Sequence, residues 1–297
     1  MDLQLDQLRA LDAAVTEGTF EAAARRLHVT ASAVSQRIKA LEDAAGRILL
    51  QRTKPVQPTE SGLAVLRLAR QTALLIGDTA RELGEATDTE QPANPLRIPI
   101  AVNADSLATW VLPALARLGP GICFEIHRED EEHTTRLLRD GTVMAAITAT
   151  STPVQGCTVR PLGAMRYRPT ASPEFVRTWF ADGPTAKAFA VAPVVQFDRN
   201  DDLQYKLIRR HSRKPLDPPC HYIPSSTSFG EAITLGLGWG MMPDIQAAED
   251  LAAGRMVAFD PRGVIDVPLY WQQWRLDSPT LRAIADTIAE AAAVALR

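Results

Sequence analysis

The feature that most constrains this chain is a pair of capped helix patterns joined by a tight turn within residues 19–46. Thr19 is placed to cap a helix with apolar positions Phe20, Ala23, Ala24 and Leu27, and Glu21 sits near its positive N-terminal end. His28-Val29 makes the turn. Thr30 opens the next helix, whose inward face is Val34, Ile38, Leu41 and Ala45, and Gly46 is suited to stop it. An earlier helix carries Leu5, Leu8, Leu11 and Val15 at helical spacing and ends at Gly18. This order predicts a helix-turn-helix. The segments Ile48-Leu49-Leu50-Gln51 and Arg52-Thr53-Lys54-Pro55-Val56-Gln57-Pro58 then read as two short extended pieces around a basic turn, a wing.

Opposite the apolar face of the third helix lie Ser32, Ser35, Gln36 and Lys39, with Arg37 flanking and Thr30 at the helix start. Such side chains are what base edges in a major groove require, since Gln pairs bidentately with adenine and Ser donates or accepts. Residues 25–54 hold seven basic side chains against two acidic ones, in a chain whose net charge is −3. Arg25, Arg26, Arg52 and Lys54 are the expected phosphate contacts. The plainer alternative is a three-helix bundle with an ordinary solvated face.

Thr59 restarts a helix expected to reach about Leu83, with Leu66, Ala69, Ala73, Ile76, Ala80 and Leu83 spaced three and four apart. That is a seam for a paired helix, or else one amphipathic helix packed on its own domain. Residues 85–95, polar and containing Pro92 and Pro95, read as a hinge. Beyond it, strand-like runs at Leu96–Val102, Ile122–Ile126, Val143–Ile147, Ala190–Phe197 and Met256–Phe259 alternate with helical stretches at Ser106–Leu118, His133–Arg139, Ser228–Leu235 and Thr280–Leu296. The alternation predicts an α/β domain with largely parallel sheets.

Other classes find little support. No apolar run approaches the roughly 20 residues that span a bilayer, so no membrane association is expected. The acidic start Met1–Asp6 does not resemble an export signal. Cys123, Cys157 and Cys220 are odd in number and far apart, which suits a reducing cytoplasm and argues against disulfides or a metal site. No nucleophile elbow or triad spacing is present, and Gly236-Leu237-Gly238-Trp239-Gly240 has the wrong spacing for a dinucleotide site. Neither catalysis nor a cofactor is expected.

The run Phe20-Glu21-Ala22-Ala23-Ala24 through Thr30-Ala31-Ser32-Ala33-Val34-Ser35 to Ile38-Lys39-Ala40-Leu41-Glu42, followed by Leu50-Gln51-Arg52 and Pro58-Thr59-Glu60-Ser61-Gly62, resembles the LysR-type transcriptional regulators. The resemblance covers essentially the whole chain. It implies a winged helix-turn-helix at residues 1–58, a dimerisation helix and hinge at 59–90, and a two-lobed α/β effector-binding domain of periplasmic-binding-protein type at 91–297. Lobe I is expected at about 96–164 and 266–297, lobe II at about 165–265. The resemblance also implies homodimers or tetramers on double-stranded promoter DNA, with RNA polymerase as a further partner.

Four spaced segments resemble one branch of that family, the activators of lysine and arginine exporters, also described as chromosome-initiation inhibitors. They are Val102–Trp110, Glu129–Thr134, Phe229–Gly240 and Leu269–Trp274. The residues fit a basic amino-acid effector. A strand ending at Asp105-Ser106-Leu107 and opening a helix suits an α-carboxylate. Glu129, Asp130 and Glu131 follow the second strand on the crevice side of a parallel sheet, where an ammonium or guanidinium needs carboxylates. Glu129 and Glu131 share one side if extended, Asp130 takes the other, and which side faces the cleft is open. The alternative is a solvated acidic run. Thr148 at the third strand end, the acidic group Asp198, Asp201 and Asp202, of which Asp198 and Asp202 are the candidates, and Ser225 before a helix, with Ser226 beside it as a further helix-end contact, complete the expected effector set. Trp110, Trp239, Trp271 and Trp274 can stack on a ligand or fill the core. The competing reading of the whole is an architectural or replication-inhibiting DNA-binding protein.

Overall fold

The computed structural model describes residues 2–84, 95–128 and 131–297, with backbone alone at 131–133. Most of the expected hinge, including Pro92, lies outside the described residues. So do Glu129 and Asp130 and the side chain of Glu131.

Helix α1 (Leu5–Glu17) stops at Gly18, whose φ of +72° is left-handed and favours glycine. Thr19 caps α2 (Phe20–Arg26) by accepting from the Ala22 N–H at 3.1 Å. Thr30 caps α3 (Ala31–Ala45) by accepting from the Ala33 N–H at 3.2 Å. Leu8, Leu11, Ala23, Ala24, Val34, Ile38 and Leu41 close one core among the three helices, while Leu5 is exposed. Strands β1 (Leu50–Gln51) and β2 (Gln57–Pro58) pair antiparallel as the wing. Glu42 fastens it to α3 by accepting from the Leu49 and Leu50 N–H groups at 2.8 and 3.3 Å. Helix α4 (Glu60–Glu82) follows, and its cap Thr59 also donates to the Ile48 carbonyl at 2.8 Å. A Cβ on Gly62 would fall 1.9 Å from the Leu49 carbonyl oxygen, so α4 rests on the wing only through glycine.

The expected seam of α4 splits in two. Leu66 and Ala69 enter the core of the N-terminal helices, whereas Ala73, Ile76 and Leu83 are exposed and burial moves to Leu74 and Asp78. The physical reason is a second partner surface. Leu74 joins the C-terminal core, and buried Asp78 accepts hydrogen bonds from the Ser278 and Thr280 hydroxyls. Arg81 reinforces the joint through Asp78 at 3.3 Å and Thr280 at 2.6 Å.

The C-terminal region runs β3 (Leu96–Ala101), α5 (Ala104–Ser106), a π-helical turn (Leu107–Val111), α6 (Leu112–Ala116), β4 (Ile122–His127), α7 (Glu131–Asp140), β5 (Ala145–Thr148), β6 (Cys157–Ala171), α8 (Pro173–Trp179), α9 (Ala186–Val191), β7 (Val194–Gln196), α10 (Leu203–His211), β8 (Cys220–Tyr222), α11 (Ser226–Thr234), β9 (Gly240–Pro243), α12 (Asp244–Ala252), β10 (Val257–Ala258), β11 (Ile265–Trp274) and α13 (Pro279–Ala295). The main sheet has the order β10-β6-β11-β5-β3-β4, with β9 also on β6. Strand β3 is parallel to β4 and β5, as expected. The expectation of largely parallel sheets fails in the rest of the main sheet, while β7 and β8 form a separate parallel pair. Strand β11 is antiparallel to β5 and β6, and β6 is antiparallel to β9 and β10. The cause is topological: β6 carries the chain from the first lobe into the second and β11 carries it back, so the two must run in opposite senses. Their pairing shifts register between Leu269 and Tyr270, opposite Gly163, where φ is +126° and a Cβ would lie 3.0 Å from the Arg297 carbonyl oxygen.

The expected strand Ala190–Phe197 is also corrected. The chain stays helical to Val191 and becomes extended only over Val194–Gln196. Pro193 separates the two, because the residue before proline is driven out of the helical region. Trp110, Trp239, Trp271 and Trp274 are all buried in the C-terminal core, which makes them packing residues.

The Asp78 joint yields a stability prediction. Removing its carboxylate leaves two buried hydroxyls without their acceptor and takes one of several acceptors from Arg81, so Asp78→Ala should lower unfolding free energy by about 2 kcal/mol. Urea denaturation followed by fluorescence checks this, and an unchanged midpoint would contradict it.

Candidate functional site

On α3, Ser32, Gln36 and Lys39 are exposed, and Ser35 and Arg37 are half-buried on the same outer surface. This follows from the helical period: Val34, Ile38 and Leu41 claim the inner face. The Ser32 hydroxyl lies 2.9 Å from that of Thr30, which is occupied as the cap. Arg25, Arg52 and Lys54 are exposed, and the Arg52 guanidinium lies 5.9 Å from the Phe20 ring centroid. Arg26 differs from this group. It is half-buried and paired with Asp12 and Glu17, both at 3.6 Å. Arg37 pairs with Asp6 at 3.1 Å. The outer face therefore carries its cations at Arg25, Lys39, Arg52 and Lys54, with two other arginines committed to carboxylates.

In the C-terminal region the residues converge on Asp105, at the turn where β3 gives way to α5. Its carboxylate accepts from the Tyr167 hydroxyl at 2.7 Å and from the Ser226 hydroxyl at 2.8 Å. Tyr167 lies on the crossing strand β6 and Ser226 opens α11, so one carboxylate joins the first lobe, the crossover and the second lobe. Burial pushes the Tyr167 phenol well above its ordinary range, and the Asp105 charge adds to the effect. Asp201 approaches the same place. Its carboxylate is fixed by N–H groups of Phe197 at 3.0 Å, Leu203 at 3.2 Å and Gln204 at 3.0 Å. Desolvation raises its pKa, opposed by those donors and assisted by the Asp105 charge. Neither carboxylate has an ion pair with a described residue. Two nearby carboxylates without a cationic partner are an arrangement that a positive group would stabilise.

The other expected effector residues divide. Ser106 is fully buried and its hydroxyl has no partner among the described residues, as is true of the Asn103 side-chain carbonyl. Leu107 packs against the core. Thr148 is buried at the end of β5, accepting from Gln272 at 3.3 Å and donating to the Thr150 carbonyl at 3.1 Å. The rest of the set serves local structure. Asp198 accepts from the N–H groups of Asn200 and Asp201, an Asx turn. Asp202 pairs with Arg209 at 2.7 Å on the surface. The Ser225 hydroxyl caps α11 by accepting from the Ser228 N–H at 3.4 Å. The inward member of the acidic group is thus Asp201, and of the two serines before α11 the one that reaches Asp105 is Ser226.

Tyr167, Gln272 and Arg128 were missed by sequence reasoning. Gln272 is fully buried and donates to Thr148, Thr150 and Thr152 while accepting from the Val154 N–H. Arg128 reaches from the end of β4 to the Pro224 carbonyl at 3.3 Å, with its guanidinium 5.8 Å from the Phe197 ring centroid. Only Gln272 had a signal, as part of the Leu269–Trp274 run. Among the described residues no group of His, Cys, Asp and Glu is arranged to hold a metal ion. No described helix is long and apolar enough to cross a membrane.

Residues 5–63 match the bacterial regulatory helix-turn-helix protein family model of LysR type, and residues 89–293 match the LysR substrate-binding domain. The chain is 47% identical over 294 residues to the HTH-type transcriptional regulator LysG of Mycobacterium tuberculosis, covering 98% of this chain and 95% of the relative. It is 39% identical over 298 residues to the lysine export transcriptional regulatory protein LysG of Corynebacterium glutamicum, covering 99% of each. Among solved structures, ArgP from Mycobacterium tuberculosis superposes with a TM-score of 0.85 at 47% identity over 98% of both chains. Full-length LysG from Corynebacterium glutamicum with bound effector Arg gives 0.75 at 39% identity over 99% of both. With both family models matched in order along nearly the whole length, the chain belongs to the LysR family of bacterial transcription regulators.

Proposed function

We propose that this protein is a DNA-binding transcription regulator whose effector is a basic amino acid, lysine or arginine, and that it controls an amino-acid exporter gene. The observation that carries the effector reading is the pair of carboxylates, Asp105 and Asp201, without a cationic partner among the described residues. An arginine or lysine side chain supplies the missing charge, and the buried Ser106 hydroxyl beside Asp105 supplies a donor for the α-carboxylate. The Arg bound to the Corynebacterium glutamicum relative supports the same ligand class. Residues 1–58 form the DNA-binding head, 59–90 the linker and 91–297 the effector domain in this reading. The head uses Ser32, Ser35, Gln36 and Lys39 for bases and Arg25, Arg52 and Lys54 for phosphates. The exposed Leu68, Leu75, Ile76 and Leu83 of α4 are the seam for a homodimer, which can assemble further to a tetramer. Transcriptional control then involves RNA polymerase, in the cytoplasm.

Ligand binding shifts a population of assembly states, so it must favour one state over another. Footprinting on operator fragments selected by the purified protein tests this. L-arginine or L-lysine should change the protected length or pattern, while neutral amino acids leave it unaltered. Identical footprints across the whole panel would contradict the proposal. The base contacts have their own test. Ser32→Ala with Gln36→Ala removes exposed side chains, so unfolding free energy should change by less than about 0.5 kcal/mol. Specific operator affinity should fall by roughly tenfold to hundredfold, as expected for a lost base contact. Unchanged operator affinity would contradict the recognition role of α3.

A further inference from the structure

Arg70 of α4 lies where three parts of the chain meet, with its side chain only 10% exposed. Its Nε donates to Asp12 Oδ1 of α1 at 3.0 Å. Its Nη1 donates to the carbonyls of Gly141 at 2.9 Å and Thr142 at 2.7 Å. One turn earlier, Arg67 donates to the Arg139 carbonyl at 2.8 Å. The backbones touch here: a Cβ on Gly141, where φ is +76°, would lie 2.5 Å from Arg67 Cβ. These carbonyls close the C-terminus of α7, an end that favours a cation.

The contacts on either side of Arg70 are rigid. Thr142 is followed by buried Val143 and by Met144, whose N–H donates to the Pro99 carbonyl at 2.8 Å, and then by β5, where Ala145, Ala146 and Ile147 are buried. That segment ends at Thr148, held by Gln272 of the crossing strand β11. The four residues of β5 span about 13 Å. On the other side, Asp12 also faces Arg26 of the helix-turn-helix at 3.6 Å. A continuous packed path therefore runs from the strand end near the cleft, along β5, through one guanidinium, to α1 and α2.

We propose that Arg70 is the positioning residue through which effector occupancy alters the placement of the DNA-binding head. The inference rests on the effector reading above. Arginine suits the task because its planar fork offers donors in fixed directions, one toward a carboxylate and another toward two carbonyls. A lysine ammonium has one nitrogen and cannot hold both sets in that geometry. A shift of the Gly141–Thr142 carbonyls relative to α4 changes these charge-assisted bonds, and so changes the relative free energy of head orientations.

The test uses full-length wild type, Arg70→Lys, Arg70→Ala and Asp12→Asn, with calorimetry of L-arginine and operator affinity measured with and without it. The Arg70 variants should bind L-arginine within about threefold of wild type and still bind operator DNA, while the arginine-induced change in DNA affinity shrinks by about fivefold or more. Asp12→Asn should show the same loss, and combining it with Arg70→Lys should add nothing further, because both substitutions break one junction. If Arg70→Ala does not fold, Arg70→Lys and Asp12→Asn carry the measurement. A full arginine response in Arg70→Lys overturns the proposal, as does loss of arginine binding in that variant, which would assign Arg70 to the fold of the effector domain. A wild-type chain that binds no basic amino acid overturns the effector reading and this inference together.

Discussion

The Asp105 carboxylate is bound by two neutral hydroxyls, one from the strand that crosses between lobes and one from the far lobe. Hydrogen bonds from Tyr167 and Ser226 orient the charge but do not neutralise it, and Asp201 adds a second negative group nearby. An unneutralised carboxylate partly removed from water is costly, and in the proposed reading the ligand brings the counter-charge. The same carboxylate touches both lobes, which links the chemistry of recognition to their relative position. A cation entering between Asp105 and Asp201 competes directly with the bond that spans the lobes. Arg128, reaching to the Pro224 carbonyl, is the other described side chain that bridges this gap.

Helix α4 is shared between the two regions. Its first half belongs to the core of the N-terminal helices through Leu66 and Ala69, and its second half belongs to the effector domain through Leu74 and Asp78. A helix divided this way cannot follow one domain without straining its contacts with the other. The glycines at its borders show how close the fit is, since Gly62 admits the Leu49 carbonyl and Gly141 admits Arg67. The N-terminal helices and the C-terminal domain are therefore joined through packed backbone, the route along which the proposed coupling would run.

The N-terminal head was readable because its information is local. Thr19 and Thr30 cap, Gly18 and Gly46 terminate, and the three- and four-residue spacing separates Val34, Ile38 and Leu41 from Ser32, Gln36 and Lys39. The effector domain was readable only in outline. The β3–α5 turn at Asp105 follows from a strand-then-helix pattern, but its partners Tyr167 and Ser226 lie 62 and 121 residues away, and no local period encodes such pairings. The acidic group near residue 200 shows the same limit at short range. Asp198 and Asp202 satisfy a turn and a surface arginine, and the backbone path alone selects Asp201 to face inward. The burial of Leu74 and Asp78 on α4 was not legible because apolar spacing does not reveal that a buried aspartate will find two hydroxyls some 200 residues on.

If Asp105 and Asp201 recognise a positive side chain, charge must decide binding ahead of shape. Calorimetric titration of the full-length protein with L-arginine, L-lysine and L-citrulline separates these, because citrulline keeps the length of arginine and lacks its charge. The account predicts heat of binding for arginine or lysine, none at comparable concentration for citrulline, and loss of the arginine signal in Asp105→Asn. Citrulline binding as tightly as arginine, or arginine binding undiminished in Asp105→Asn, would contradict it.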